Sequence, residues 1–171
     1  GTDAVVHFAA LHAPHREIHT RDAFFDLNVH ATDRLIQAAQ QNGVRRFLLA
    51  SSTSVYGGAM RTAKVTGRAA WVTEELVPEP EDVYDETKLA AEALCKGAYS
   101  SSFQTTVLRF SRCFPEPLPL MAVYRLHRGI DARDVAQAFE CALTARLETF
   151  EAFNISGETP FVESDCQALW S

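Results

Sequence analysis

Arg46-Phe-Leu-Leu-Ala50 runs directly into Ser51-Ser-Thr-Ser-Val-Tyr-Gly57, so that an apolar stretch ends in a cluster of hydroxyl side chains. A short apolar run without polar alternation is typical of a strand that is buried on both faces of a parallel sheet. In open sheets of this kind, ligands bind outside the carboxyl ends of the strands. The stretch therefore predicts a ligand-binding edge at Ser51–Ser54, and the alternative is a serine-rich turn that caps the next element.

The segments on either side of this stretch alternate between strand and helix patterns. The predicted strands are Asp3–Phe8, Arg46–Ala50, Thr105–Phe110 and Phe153–Ser156, and the predicted helices are Arg21–Gln41, Val83–Ala98 and Asp131–Arg146, with Asp82 and Asp131 as N-caps. We predict a long loop over Gly57–Glu81, an irregular segment over Cys113–Leu120 and a helical tail that ends at Trp170. Strands that alternate with helices form a parallel sheet with crossover helices, so the predicted fold class is α/β.

Composition places the chain among ordinary globular proteins. Its 171 residues are 47% apolar and 22% charged, which predicts a single domain over residues 1–171. The net charge of −6 gives no reason to expect nucleic acid or an anionic membrane as a partner, and no apolar run has the length of a bilayer span. The cysteines are widely spaced and form no C-x-x-C pair, which predicts free thiols in a reducing compartment, the cytoplasm; they are Cys95, Cys113, Cys141 and Cys166.

The sharpest chemical signal is Tyr84-Asp-Glu-Thr-Lys88 in the predicted helix Val83–Ala98. Residues four apart lie on one helix face, one turn from each other. A free phenol is a weak base at neutral pH, and a nearby ammonium group favours its ionised form, so we expect Lys88 to bring the pKa of Tyr84 towards the working range. The alternative for this spacing alone is a solvated helix face.

Histidines also cluster near the start of the chain. His12, His15 and His19 lie within eight residues, but no cysteine or carboxylate stands in register with them and Pro14 interrupts the segment. We therefore expect a solvated loop and no metal site. His7, inside an apolar strand, is predicted to be a hydrogen-bonded structural histidine.

A series of short motifs extends over nearly the whole chain. They are Asp3-Ala-Val-Val-His-Phe-Ala-Ala10, Asn28-Val-His-Ala-Thr32, Ser51–Gly57, Tyr84–Lys88, Val107-Leu-Arg-Phe110, Ile130-Asp-Ala-Arg-Asp-Val-Ala136 and Phe153-Asn-Ile-Ser-Gly157. In this order they resemble the extended short-chain dehydrogenase/reductases, the NAD-dependent epimerase/dehydratase family. The resemblance implies a Rossmann-like, doubly wound parallel sheet, with NAD or NADP as cofactor and a homodimer as the expected assembly.

The resemblance also implies roles for residues of a proton-transfer site. Tyr84 is the acid/base that exchanges a proton with a substrate hydroxyl, and Lys88 binds the nicotinamide ribose and tunes Tyr84. Ser52, four residues before Tyr56, orients the substrate oxygen, with Thr53 as the second candidate for a substrate contact.

A second set of roles concerns the cofactor. Ala9 and Ala10 are expected to line the cofactor near its ribose, where Lys88 also binds, and Phe110 and Ser111 are expected beside the nicotinamide. Hydride then passes between a substrate carbon and the nicotinamide, while the protein supplies the geometry.

Two departures from the family pattern affect these expectations. The Gly-rich phosphate loop is absent and the fourth-strand motif begins at Asp3, so the chain is expected to be the C-terminal portion of a dinucleotide-binding domain, lacking roughly 60 residues of strand–helix units. The substrate-binding region, about residues 112–130 and 157–171, is short. Arg112 stands where many relatives have asparagine and suits a carboxylate or phosphate, the alternative being a surface or ion-paired arginine.

The function predicted from these features is that of an NAD(P)-dependent oxidoreductase, epimerase or dehydratase. Its expected substrate is a sugar or a nucleotide-sugar-like molecule, and its site is Ser52, Tyr84 and Lys88. The alternative is a non-catalytic or truncated protein of the same fold with a binding or interaction role.

Overall fold

The computed structural model describes residues 1–68, 70–113, 117–119 and 129–157. Its centre is a four-stranded sheet made of β1 (Ala4–His7), β2 (Arg46–Ser52), β3 (Gln104–Phe110) and β4 (Glu151–Ile155). The strands lie in the order β1-β2-β3-β4 and every pair is parallel. The predicted α/β class with a parallel sheet is therefore confirmed.

Helices occupy the connections between the strands. They are α1 (Arg21–Phe25), α2 (Ala31–Gln41), α3 (Gly57–Thr66), α4 (Val83–Ala98) and α5 (Ala132–Thr144). Two short 3₁₀ helices lie at Ala13–Glu17 and Thr53–Tyr56. Among the described residues, no helix is both long enough and apolar enough to cross a membrane.

The two faces of the sheet carry separate apolar clusters, which makes the fold doubly wound. Phe47 and Val107 on β2 and β3 pack with residues of α2 and α4 on one face. Leu48 and Leu108, their neighbours along the same strands, pack with α5 on the other face. Side chains of a strand alternate between its faces, so a central strand must be apolar at every position, as the run at the start of β2 is.

The edge strand β1 is less buried than its sequence predicts. Val6 is 40% exposed and Phe8, just after the strand, is 53% exposed. In the described structure β1 pairs with β2 along one side. The prediction of a buried strand is wrong here because an apolar, β-branched sequence does not distinguish an edge strand from a central one.

The predicted loop over Gly57–Glu81 is wrong for its first part, which is helix α3. Gly58 is a site of close approach: a Cβ there would lie 2.6 Å from Glu79 Oε2 and 2.7 Å from its Cβ. Gly67, with φ of 65°, ends the helix in the left-handed conformation that favours glycine. These glycines therefore mark packing and a C-cap, although in the sequence they indicate a loop.

The predicted helix over Arg21–Gln41 forms as α1 and α2, joined by a π-helical turn at Asp26–His30. Asn28, buried in this turn, accepts a hydrogen bond from Leu11 N at 2.7 Å and donates to Leu11 O at 3.0 Å. Its amide also donates to Thr87 Oγ1 of α4 at 3.0 Å. One side chain thus fastens the loop after β1 to the helix that carries Tyr84 and Lys88.

Both predicted N-caps are confirmed. Asp82 Oδ1 accepts hydrogen bonds from Tyr84 N at 2.8 Å and Asp85 N at 3.1 Å, and Asp131 Oδ1 accepts one from Arg133 N at 2.9 Å. The predicted helical tail ending at Trp170, with Cys166, lies outside the described residues, as does most of the predicted irregular segment after Cys113.

Replacing Asn28 by alanine should destabilise the fold by about 2–4 kcal/mol, because both backbone polar groups of Leu11 lose their partner. Urea unfolding measures the change. Asn42→Ala is the matched control, since Asn42 donates one exposed hydrogen bond to Ala38 O and its loss should cost about 0.5 kcal/mol or less. An equal loss of unfolding free energy in the two variants would contradict this prediction, because the buried hydrogen bonds of Asn28 would then contribute no more than the exposed one of Asn42.

Candidate active site

A cleft of about 760 Å³ opens at the carboxyl ends of β1, β2 and β3. Each of these strands contributes the residues that follow or end it, as expected for an open parallel sheet. The cleft brings together the following residues predicted from the sequence: Ala10, Ser52, Thr53, Tyr84, Lys88, Phe110, Ser111 and Arg112. Ala9, the other residue predicted near the cofactor, is exposed and is not among the residues that line the cleft. Its neighbours Phe8 and Ala10 line the cleft instead.

The Ser52 hydroxyl is held by the turn that follows β2. Ser52 is the N-cap of the 3₁₀ helix Thr53–Tyr56, and its Oγ accepts a hydrogen bond from Ser54 N at 3.1 Å. The hydroxyls of Ser52 and Ser54 lie 2.8 Å apart. Ser52 and Tyr84 line the same cleft. The end of β2 and the start of α4 therefore bring two hydroxyl groups into one cleft.

The electrostatics of Tyr84 differ from the sequence-based prediction. Burial raises the pKa of Tyr84 to about 12, with smaller upward contributions from Asp85 and Asp82, while the nearby Ser52 hydroxyl lowers it. The expectation that Lys88 brings this pKa towards neutrality is therefore wrong for this structure. The Lys88 ammonium lies 5.7 Å from the centre of the Tyr84 ring, and desolvation of the phenolate dominates.

Lys88 is itself a buried charged group, 5% exposed. Its Nζ donates a hydrogen bond to Ala50 O at 2.8 Å, which connects α4 to the backbone near the end of β2. Burial lowers the pKa of Lys88 to about 8, and the charge of Glu92 opposes that shift. An ammonium group with hydrogen-bonding capacity at the floor of a cleft is suited to hold hydroxyl groups of a ligand.

His12 is a cleft residue that sequence analysis placed in a solvated loop. Its ring packs edge-on against the Tyr84 ring with 5.0 Å between centroids, and it lines the cleft. Burial lowers the pKa of His12, and the positive charges of His15, Lys88 and Arg112 lower it further. The sequence carries no signal for this placement, because it depends on how the loop after β1 folds back over α4.

The other histidines take structural positions. His7 Nε2 lies 2.9 Å from Thr32 Oγ1, which is the hydrogen bond predicted for a structural histidine in this strand. His15 Nδ1 accepts from His12 N at 2.8 Å. In the described part of the chain, no three histidine, cysteine, aspartate or glutamate side chains are placed to hold a metal ion.

Asp85 is another cleft residue that sequence analysis missed. It is 4% exposed, and one of its carboxylate oxygens accepts a hydrogen bond from Glu81 N at 3.2 Å. Burial raises the pKa of Asp85. An acidic residue just after an N-cap is usually solvated, so its position in the sequence gave no reason to expect burial.

Comparison with known proteins identifies the family. The model of the NAD dependent epimerase/dehydratase family matches residues 1–116. The chain belongs to this family. The resemblance noted in the motifs and the Rossmann-like fold are both confirmed by this match and by solved structures of similar fold.

Several characterised proteins are similar to the chain. UDP-glucose 4-epimerase 4 of Oryza sativa subsp. japonica is 31% identical over 106 residues, which are 62% of this chain and 27% of that protein. GDP-6-deoxy-D-mannose reductase of Pseudomonas aeruginosa is 36% identical over 100 residues, 54% of this chain and 29% of that protein. The structure of MoeE5 in complex with UDP-glucuronic acid and NAD superposes with a TM-score of 0.70 at 28% identity, covering 90% of this chain and 56% of that one.

These matches bear on the cofactor and on length. The family is NAD-dependent, and the MoeE5 structure contains NAD. The chain spans about a quarter of the length of the two curated relatives and about half of the length of MoeE5.

The residues that line the cleft fit the nicotinamide–ribose end of NAD. The buried Lys88 ammonium and the hydroxyls of Ser52 and Ser111 lie in one cleft with the apolar side chains of Phe8 and Phe110.

The buried ammonium predicts a specific dependence of stability on pH. Folding lowers the pKa of Lys88 from 10.5 to about 8, so the unfolded chain binds the proton more tightly. The free energy of unfolding should therefore rise between about pH 8 and 10.5, by on the order of 3 kcal/mol from this group. Lys88→Met should abolish that rise, measured as the difference in urea unfolding between pH 7.5 and 10.5 relative to the parent chain. Lys96→Met, at an exposed position of the same helix, should leave the difference unchanged.

Proposed function

We propose that the cleft is the proton-transfer site of an NAD-dependent epimerase, dehydratase or oxidoreductase that acts on sugar nucleotides. The observation that carries this proposal is that the Ser52 side chain, the Tyr84 phenol and the buried Lys88 ammonium line one cleft, with Lys88 Nζ 5.7 Å from the centre of the Tyr84 ring. This supports the proposal because a group that can move a proton, a group that can hold the reacting oxygen and a buried positive charge line the same cleft.

Each side chain has a distinct task in this proposal. Tyr84 exchanges a proton with a hydroxyl or carbonyl oxygen of the sugar, and Ser52 holds that oxygen by a hydrogen bond. Lys88 keeps a positive charge beside Tyr84 and offers N–H groups to ribose hydroxyls. NAD, when bound in this cleft, would supply the chemistry of hydride transfer, and the positive charge of its oxidised ring would favour ionisation of the Tyr84 phenol.

The substrate class is inferred from the relatives. Among them are a UDP-glucose 4-epimerase and a GDP-6-deoxy-D-mannose reductase, and MoeE5 has been solved with UDP-glucuronic acid and with UDP-glucose. Arg112 and Thr53, which line the same cleft, are proposed substrate contacts. A guanidinium at this place suits a phosphate or carboxylate oxygen. A homodimer and a cytoplasmic location stay predictions.

A second candidate function is a non-catalytic protein that keeps the fold for binding or interaction. What favours it is the burial of the Tyr84 phenol, which raises the pKa of Tyr84 to about 12 and so disfavours the ionised form that proton transfer requires. The reading frame upstream of Gly1 separates the candidates, since a glycine-rich strand–turn–helix there supports the enzyme and a start codon near Gly1 supports the other. Calorimetric titration with NAD and NADP adds a direct measurement of binding.

In the complete product of the gene that encodes this chain, Tyr84→Phe should lower kcat with UDP-glucose or UDP-glucuronic acid by about 10²–10⁴-fold, because the proton can no longer be transferred. Chromatography of the sugar nucleotide products and the absorbance of NADH measure turnover. Tyr99→Phe is the control, since Tyr99 ends the same helix and bonds Leu147 O outside the cleft. Normal turnover by Tyr84→Phe would exclude the proposed role.

A further inference from the structure

The face of the sheet beneath α4 carries a buried polar cluster, formed by Ser51, Tyr56, Glu92 and Arg109. Glu92 and Arg109 are 6% and 8% exposed, and Arg109 Nη2 lies 2.6 Å from Glu92 Oε2. Arg109 Nε donates to both carboxylate oxygens, at 3.0 and 3.2 Å. Such a pair with several charge-assisted bonds has a fixed geometry.

The remaining bonds of this cluster connect three strands to one helix. The hydroxyl of Ser51, which precedes the proposed catalytic residue Ser52, donates a hydrogen bond to Glu92 Oε1 at 2.5 Å. Arg109 Nη1 donates to Tyr56 Oη at 2.6 Å, and Tyr56 Oη donates to Asn154 Oδ1 of β4 at 3.2 Å. The end of β2, the end of β3, β4 and α4 are therefore joined through one carboxylate and one guanidinium.

Glu92 also continues the face of α4 that carries the proposed site. Tyr84, Lys88 and Glu92 are spaced four residues apart, so each lies one helical turn after the previous one. All three are buried, with exposures of 6%, 5% and 6%. The Lys88 side chain is largely withdrawn from water, and a nearby negative charge is the ordinary way to compensate for that loss of solvation.

We propose that Glu92 is a positioning residue of the Tyr84–Lys88 site: clamped by Arg109 and Ser51, its carboxylate fixes α4 against the strand ends and keeps Lys88 as a charged ammonium. This inference rests on the proposed function for its purpose, because the site is that of Tyr84 and Lys88. Its physical content, the charge state of Lys88, can be measured without any turnover.

Several charged and titratable groups lie near Lys88. By element they are His7 of β1, His12 after β1, Arg109 of β3, Arg112 after β3, and Tyr84, Asp85 and Glu92 of α4. Glu92 raises the pKa of Lys88 against the opposing effect of burial. Asp85, whose own pKa is raised by burial, is less suited to act as the counter-charge.

Carbon NMR of lysine labelled at Cε tests the inference directly on this chain, whose lysines are Lys64, Lys88 and Lys96. The Lys88 signal is assigned as the one that Lys88→Arg removes. In Glu92→Gln the titration midpoint of Lys88 should fall by about one pH unit, because an opposite charge one turn away is lost. Glu92→Asp keeps the charge and should restore most of the midpoint.

Two controls separate this effect from a loss of structure. Glu86→Gln removes an exposed acid of the same helix, paired with Arg21, and should leave the Lys88 midpoint unchanged. If Glu92→Gln does not fold because Arg109 is left unpaired, the double variant Glu92→Gln/Arg109→Gln removes both charges. The midpoint should then fall by less than in the single variant, because the lost positive charge of Arg109 partly offsets the lost negative charge of Glu92. A folded variant without Glu92 whose Lys88 midpoint equals that of the parent chain would overturn the inference.

Activity in the complete gene product distinguishes this inference from the proposed function. If the unsubstituted protein converts no sugar nucleotide while the Lys88 midpoint shifts as described, the proposed function fails and the role of Glu92 in holding Lys88 stands. If the unsubstituted protein is active and Glu92→Gln has its normal kcat and pH profile, Glu92 does not position the site.

Discussion

The hydrogen bond from Lys88 Nζ to Ala50 O is the interaction on which the site depends. It places a charged group of α4 beneath the backbone at the end of β2, one residue before the hydroxyl-rich turn begins. Taking an ammonium group out of water costs several kcal/mol even after relaxation, so this contact persists only where the surroundings compensate the charge. The helix therefore cannot slide or rotate against the sheet without exposing or orphaning that charge, and Tyr84, one turn earlier, is held by the same constraint.

The sheet face under α4 changes character along the strands. Near the start of β2 and β3, Phe47 and Val107 pack against Ala91 and Cys95 in an apolar cluster. Further along, on the same face, Ser51 and Arg109 replace apolar side chains and pack against Glu92. Apolar packing tolerates small sliding movements, whereas a bidentate ion pair has a narrow range of geometries. The polar half lies where the strands end, so the more rigid packing is next to the cleft.

Much of this fold is predictable from local sequence patterns. The strands, the bounds of α4 and the caps at Asp82 and Asp131 follow from apolar runs and capping chemistry, which depend on a few neighbouring residues. The Ser–Tyr–Lys grouping also follows, because strand ends and helix starts of a parallel sheet meet at one edge. Helix α3 was missed because its glycines serve close packing against Glu79 and a C-cap, features that depend on tertiary contacts. The sequence predicts the wrong direction for the Tyr84 pKa shift for a related reason. The helix spacing identifies Lys88 as a neighbouring charge, but the burial that raises the pKa depends on the whole fold.

Burial shifts the pKa values of Tyr84 and Lys88 in opposite directions, but for both groups it disfavours the charged form. It raises the pKa of Tyr84 to about 12 and lowers the pKa of Lys88 to about 8. A positive charge that enters the cleft would lower both values, which helps Tyr84 to ionise but also draws the proton from Lys88. A fixed negative charge beyond Lys88, on the side away from Tyr84, resolves this conflict because it supports the ammonium more strongly than it opposes the phenolate. Glu92 has this position along α4, and its bonds to Arg109 and Ser51 keep its carboxylate there.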